Sequence, residues 1–341
     1  MAIVVRKSQF DAIVAERSRG GAAAEPPRAQ AQEAVDPAMR ARFAKIAINR
    51  PTKKGEIFRL DDVGSRYEVL EVLGEGGTGR VVRAFDNILE MEVAIKILSP
   101  RLVLDPAALS ALKAEVRINL ALVHRHILRI YNLERSGRTY MIIMELLKGQ
   151  TLSRLLAGAP AGLDWDFGVQ LIQVAADAIG HAHRHGVLHL DLTPSNIFLT
   201  DEGIVKIIDF GIARVMQAGA AAASHSEYVY GTPAYMSPEQ ARGDVLDARS
   251  DIYSLGVVAA QLLTGRVVCD GATVEQVALV PHPPVMGLDA PVAAVIEKAT
   301  AFRADDRYDS ILDFSADLAS AVMSQAPAGR QPEAAQGGWQ P

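Results

Sequence analysis

The sequence predicts an α+β fold in two lobes, a β-rich lobe with one main helix followed by a mostly helical lobe. Three observations carry this. Before about residue 146 the apolar residues fall in short runs with strand character, bounded by glycine-rich or polar turns. From Thr151 onward the spacing becomes helical. Within that second part, Asp251 to Leu263 is almost wholly apolar and ends at Gly265, as a buried central helix requires.

Taken in order, the stretch from Tyr67 to Leu73 reads as a strand, and after a glycine-rich turn Arg80 to Phe85 reads as its hairpin partner. Glu92 to Leu98 is a third strand. Asp105-Pro106 is a helix start, with a capping carboxylate and proline at the first helical position, and the helix runs from Ala107 to Leu122. Ile127 to Leu133 and Tyr140 to Leu146 complete the strands. Phe167 to His185 is a long amphipathic helix, opened by Asp164 or Asp166 and closed by Gly186. Asp289-Ala290-Pro291 opens a helix to Ala301, and Ser310 to Met323 forms the last.

Residues 1–65 differ from the rest. Gln9 to Arg17 and Met39 to Ile48 have helical spacing, Gly20 to Ala34 has little to bury, and Arg50 to Lys54 is a small basic cluster. This extension is expected to be largely flexible and to offer a place for a regulatory partner. Residues 325–341, rich in Ala, Pro, Gly and Gln, are expected to be a disordered tail.

The net charge of −5 argues against a nucleic-acid partner held by a basic surface. Cys269 is the single cysteine, so no disulfide within the chain forms and a reducing compartment is expected. No run reaches the roughly 18–20 apolar residues of a membrane span, and the N-terminus lacks a secretory hydrophobic region. A cytoplasmic protein is the expectation.

Gly74-Glu75-Gly76-Gly77-Thr78-Gly79 fits three phosphate-binding patterns in part. A dinucleotide fingerprint needs a helix after the glycines, but Val81, Val82 and Phe85 continue as strand. A P-loop needs Lys-Ser/Thr where this chain has Arg80-Val81. A glycine hairpin that covers phosphates with backbone N–H groups fits the strand–turn–strand context. Lys96 closes the apolar run Val93-Ala94-Ile95, and Glu115 lies 19 residues further on in the helix, a candidate ammonium–carboxylate pair.

In the second lobe, the stretch from His189 to Asn196 is followed by Asp209-Phe210-Gly211. Asp191, Asn196 and Asp209 thus supply a carboxylate, an amide and a second carboxylate at close spacing. Such a set suits a metal–phosphate complex and the orientation of a hydroxyl. His181, His183 and His185 invite a metal reading, but they close a helix, where imidazoles suit the C-terminal dipole, and no third ligand is evident nearby.

These motifs, in this order and spacing, resemble the eukaryotic-type Ser/Thr protein kinases, particularly their bacterial members, over Tyr67 to Met323. The resemblance implies a protein-kinase-like fold over 66–324, with lobes at 66–146 and 147–324, and transfer of the γ-phosphate of ATP, with Mg²⁺, to Ser or Thr of a protein substrate. Lys96 would bind the α- and β-phosphates, with Glu115 orienting it. Leu73, Gly74, Gly76 and Gly79 would cover the nucleotide. Val81, Ala94 and Phe198 would hold the adenine. Met144 falls at the gatekeeper position. Glu145 to Leu147 would be the hinge, where side-chain identity matters little. Asp191 would accept or orient the substrate proton, and Thr232 would hydrogen-bond it. Asn196 and Asp209 would bind Mg²⁺. In Gly231 to Glu239, which matches the Ser/Thr substrate-binding segment, Glu239 would pair with Arg307, and Asp251 would hold the backbone of the catalytic loop. Ser224 and Ser226 are candidate autophosphorylation sites.

Three residues depart from the pattern. Leu190 replaces an Arg that pairs with a phosphorylated loop, so activity is expected not to need that contact. Thr193 replaces a Lys that contacts the γ-phosphate. Asn119 stands where an apolar residue is usual. The alternative they raise is a nucleotide-binding pseudokinase acting as a scaffold or allosteric partner. An NAD-binding oxidoreductase is a distant third.

Overall fold

The computed structural model of the chain describes residues 66–76, 79–209 and 233–324. They form two units, 66–148 and 149–209 with 233–324. The extension 1–65, the segment 210–232 and the tail 325–341 lie outside the described residues, so the expectations for them do too.

The first unit is built on an antiparallel sheet of β1 (Tyr67–Gly76), β2 (Gly79–Asp86), β3 (Met91–Leu98), β4 (Ile130–Ser136) and β5 (Thr139–Met144), in the order β1-β2-β3-β5-β4. Its register sorts side chains by face. Val82, Ile95 and Ile143 are cross-strand partners, as are Ala84 with Val93 and Ile97 with Met141. All belong to one buried cluster closed by Tyr67. At ~25 cal/mol per Å² of apolar surface removed from water, this face supplies much of the unit's stability. The alternate residues Val81, Ala94, Lys96 and Met144 fall on the other face. Arg66 ties the start of β1 to its edge, donating to Asp86 at 2.7 Å and to Glu134 at 3.0 Å. The Arg66 hydrogen bond is the main reason the Asp86 carboxyl sits below its ordinary range, although burial opposes it.

Helices α1 (Pro100–Leu104) and α2 (Pro106–Ala121) follow β3. The side chain of Ser99 caps α1 by accepting from Leu102. α1 was not expected from the sequence, being too short to show a periodicity. β4 begins at Ile130 rather than Ile127: Ile127 donates its N–H to His124 O in a turn and makes only an isolated bridge, with two residues between it and the continuous strand.

In the second unit, α3 (Leu152–Ala157) precedes α4 (Trp165–Arg184), whose cap is Asp164, accepting from Phe167 N at 3.0 Å. Beyond the 3₁₀ turn Pro194–Asn196 lie β7 (Ile197–Thr200) and β8 (Val205–Ile207), which with β6 (Gly149–Thr151) make a small sheet. After the Pro233–Tyr235 turn come α5 (Pro238–Arg242), α6 (Ala248–Thr264), α7 (Val274–Leu279), α8 (Ala290–Ala299) and α9 (Ile311–Ser324). α6 buries every residue from Ser250 to Ala260. It starts one turn before Asp251, because Asp247 is the cap. It ends at Gly265, whose φ is +73° and whose missing Cβ would otherwise lie 2.2 Å from Pro160 O. Among the described residues no helix is long and apolar enough to cross a membrane.

Candidate active site

The first unit's contribution is set by sheet register. Gly74, Val81, Lys96 and Ile142 occupy one cross-strand row, and Ala94 with Met144 the adjacent one. Lys96 (6% exposed), Ala94 and Met144 are buried. The expected Lys96–Glu115 pairing lies outside what is described, because only the backbone of Glu115, in α2, is.

The glycines divide in two. Gly76 and Gly79 pair at the end of the β1–β2 ladder. A Cβ at Gly79, where φ is +150°, would lie 2.0 Å from Ile97 O, so the sheet itself demands glycine there. Nothing lies within 4 Å of a Cβ at Gly74 or Gly76, and Leu73 beside them is 47% exposed. These positions leave open room above the hairpin.

After β5 the Glu145 N–H donates to Arg129 O at 3.0 Å, and its carboxylate accepts from Arg129 N at 2.7 Å. The side chain of Glu145 therefore has a structural task, contrary to the expectation that side-chain identity matters little in that segment. Leu147, one of its expected backbone contacts, is half-buried in the segment that ends the unit.

In the second unit one buried carboxylate organises the loop. Asp251, on α6, is fully buried. It accepts from His183 Nε2 at 2.7 Å, His189 N at 2.8 Å and Leu190 N at 2.7 Å. Burial works against its charge, but the hydrogen bond and charge of His183, with the His189 donor, hold its carboxyl below the usual range. Leu190 has φ +62°, a left-handed conformation that costs a branched side chain about 1–2 kcal/mol. It is held there by Asp251 on its N–H and by Gln240 Nε2, which donates to Leu190 O at 2.8 Å. His189 Nε2 donates to Ile208 O at 3.1 Å, leaving Nδ1 to accept the N–H of Asp191 at 3.3 Å.

The result is a fixed pair. Asn196 Nδ2 donates to Asp191 Oδ2 at 2.9 Å and to Asp191 O at 2.8 Å. Asn196 Oδ1 is thereby turned away from Asp191. Ile197 pairs with Ile207, and Ile208 N donates to Asn196 O at 2.9 Å, so Asn196 and Asp209 stand at the same end of the β7–β8 ladder. Asp209 has φ +58°. Phe198 is half-buried in β7, opposite Lys206 and Thr151. Thr232, expected beside Asp191, lies outside the described residues. An amide oxygen and carboxylate oxygens are hard donors, suited to Mg²⁺ that takes its remaining ligands from phosphate and water. Among the described residues no cluster of three or more His, Cys, Asp or Glu forms an all-protein metal cage.

The segment after the Pro233–Tyr235 turn is tied to α6 and to the end of the domain. Arg307 grips Glu239 with two bonds of 2.7 and 2.8 Å, and Ser250 Oγ donates to Glu239 at 2.7 Å. Burial pushes the Glu239 carboxyl up, but the guanidinium and hydroxyl outweigh it and hold it at about 2. Sequence reasoning anticipated this pair and the role of Asp251. It missed His183 and Gln240. His183 was read only as part of a helix end, yet it is a direct partner of Asp251. Gln240 had no signal beyond its place three residues after the capping Ser237.

A family model described as "Protein kinase domain" matches residues 67–300. The chain is 34% identical over 283 residues to a probable serine/threonine-protein kinase PknB of Bifidobacterium longum, across 77% of this chain and 41% of that protein. It is 35% identical over 267 residues to serine/threonine-protein kinase PrkC of Bacillus subtilis, across 76% of this chain and 41% of that protein. It is 35% identical over 277 residues to serine/threonine-protein kinase PknB of Mycobacterium tuberculosis, across 78% and 44%. The chain thus spans less than half the length of these relatives. Among solved structures, the kinase domain of Mycobacterium tuberculosis PknI is similar at a TM-score of 0.62 and 25% identity, over 75% of this chain and 96% of that one.

Proposed function

The chain belongs to the protein kinase domain family, and from that premise we propose that it transfers the γ-phosphate of ATP to Ser or Thr hydroxyls of a protein substrate. The observation that carries this reading is the hydrogen bond between Asn196 Nδ2 and Asp191 Oδ2. It orients a carboxylate for a hydroxyl proton while directing the amide oxygen, beside Asp209, to a cation.

In this reading Asp191 receives the acceptor hydroxyl's proton as the new O–P bond forms and the bond from the γ-phosphorus to the β–γ bridging oxygen breaks, releasing ADP. Asn196 and Asp209 would hold Mg²⁺, which neutralises charge on the phosphates when bound. Lys96, with Glu115, serves the α- and β-phosphates. The open room above Gly74 and Gly76 suits backbone N–H groups approaching phosphate. Leu73, Gly79, Val81, Ala94, Met144, Glu145, Leu147 and Phe198 frame the nucleotide, and Thr232 supports Asp191. Catalysis is positioning and charge neutralisation. The single cysteine accords with a reducing, cytoplasmic setting, and residues 1–65 are assigned to a regulatory partner.

The test is incubation of the full chain with labelled ATP and Mg²⁺, with and without a generic protein substrate, beside Asp191→Asn. Label on Ser and Thr, lost in the variant, is the expected result. No label on wild type above the Asp191→Asn control, with ATP bound by each, would instead favour a scaffold.

A further inference from the structure

Three histidines close α4, and they divide between two faces. His183 turns inward to Asp251. His181 and His185 share the other side of the helix, because residues four apart lie on one face and residues two apart point in nearly opposite directions. Their ring centres are 4.5 Å apart and their planes are tilted by 38°. His185, the C-cap, is exposed, and His181 is half-buried. His185 Nδ1 lies 2.9 Å from His181 O. A carbonyl only accepts, so Nδ1 carries the proton and Nε2 of the neutral ring is the lone-pair nitrogen. A backbone carbonyl on the second nitrogen is how metal-binding imidazoles are commonly oriented. Burial, with the neighbouring His185 and Arg184, lowers the His181 pKa from its ordinary value, against the opposing charge of Asp177. The His181 ring is therefore neutral at physiological pH, the form that ligates metals.

The spacing suits a shared ion. Metal–nitrogen bonds of about 2.0–2.1 Å put a ring centre roughly 3.2 Å from the metal. Two imidazoles on one ion, at angles between square and tetrahedral, then have centres about 4.5–5.2 Å apart. The observed 4.5 Å falls at the near end of that range. Among the described residues no group of three or more His, Cys, Asp or Glu could hold a metal. The site is thus an open one, with water in the remaining positions. Its nitrogen donors disfavour Mg²⁺, which takes oxygen ligands, and suit Zn²⁺, Ni²⁺ or Cu²⁺.

We propose that His181 and His185 form a surface site for Zn²⁺ or a chemically similar divalent transition-metal ion, held by two imidazoles and water and separate from any Mg²⁺ at Asn196 and Asp209. The ion ties together the last turn of α4 around His183, the partner of Asp251. Four residues after His185 the chain reaches His189 of the catalytic loop, so the metal bears on the helix end from which that loop departs. The site does not depend on the kinase reading, and its test measures no phosphate transfer.

The test titrates Zn²⁺ alone into the full chain, stripped of metal beforehand, by isothermal titration calorimetry, beside His181→Asn and His185→Asn. Circular dichroism of each protein in chelator checks the fold. Wild type should bind an ion whose affinity falls by about tenfold or more in each variant, because losing either ring removes the chelate. Excess Mg²⁺ should leave the wild-type isotherm unchanged. A smaller fall in the folded variants, displacement by Mg²⁺, or no saturable uptake by wild type would overturn the proposal. If His181→Asn loses its folded signal, His185→Asn, at the exposed C-cap, decides alone. If both lose it, electron paramagnetic resonance of wild type loaded with Cu²⁺ decides: coupling to two imidazole nitrogens supports the site, and coupling to one or none refutes it.

Discussion

The two units hold their candidate functional groups by different means. In the first, Lys96, Ala94, Val81 and Met144 are placed by strand register alone, on the face of the sheet opposite its apolar cluster. In the second, Asp191 and Asn196 sit on irregular backbone that no ladder dictates, and buried polar groups hold it: Asp251 with His183, His189 and Leu190, and Gln240 on Leu190 O. A sheet tolerates change at any one contact because neighbouring ladder bonds persist. A loop with a left-handed leucine at its centre depends on individual hydrogen bonds.

Breaking the buried carboxylate should therefore have the largest effect. Asp251→Ala leaves the N–H groups of His189 and Leu190 without their acceptor, and about 3–5 kcal/mol of stability should be lost, measured by urea unfolding of the full chain. A loss under about 1 kcal/mol would mean the loop is held by something else.

The first unit's sensitivity should be confined to close backbone approach. Gly79→Ala should cost about 2–3 kcal/mol through its clash with Ile97 O, whereas Gly76→Ala should change stability by under about 0.5 kcal/mol. Equal losses at both positions would erase the distinction between a glycine demanded by the sheet and one left open to a ligand.

The mildest probe is pH. The Glu239 carboxyl is held at about 2 when folded, below its ordinary 4.5. Its contribution is fully present above 4.5 and declines as pH falls from there toward 2. Unfolding midpoints of wild type should fall across this window, and Arg307→Met should flatten the fall attributable to Glu239. An identical pH slope in both proteins would show that the ion pair does not set it.

What was legible in the sequence follows the same division. The apolar run Val93-Ala94-Ile95 and the glycine turn revealed the hairpin and the strand carrying Lys96, while the cross-strand row of Lys96 came only from the register. β6, β7 and β8, of three or four residues, and α3, α5 and α7, of five or six, are too short for a period to show. The catalytic loop was legible from residue spacing, and Asp251 and Glu239 through family resemblance. The contact of His183 with Asp251 was not, because it joins residues 68 apart whose proximity only the packing of α4 on α6 creates.

The central claim is that this loop keeps base and metal ligands in working geometry while Thr193 leaves it without a phosphate-side cation. The direct measurement is the initial rate of phosphate transfer by wild type, Asp191→Asn and Thr193→Lys, with ATP affinity determined for each. The account predicts that Asp191→Asn falls to background and that Thr193→Lys exceeds wild type, by up to the ~10²–10³ that one preorganised charge supplies. Wild type indistinguishable from Asp191→Asn, with ATP bound equally by both, would contradict it.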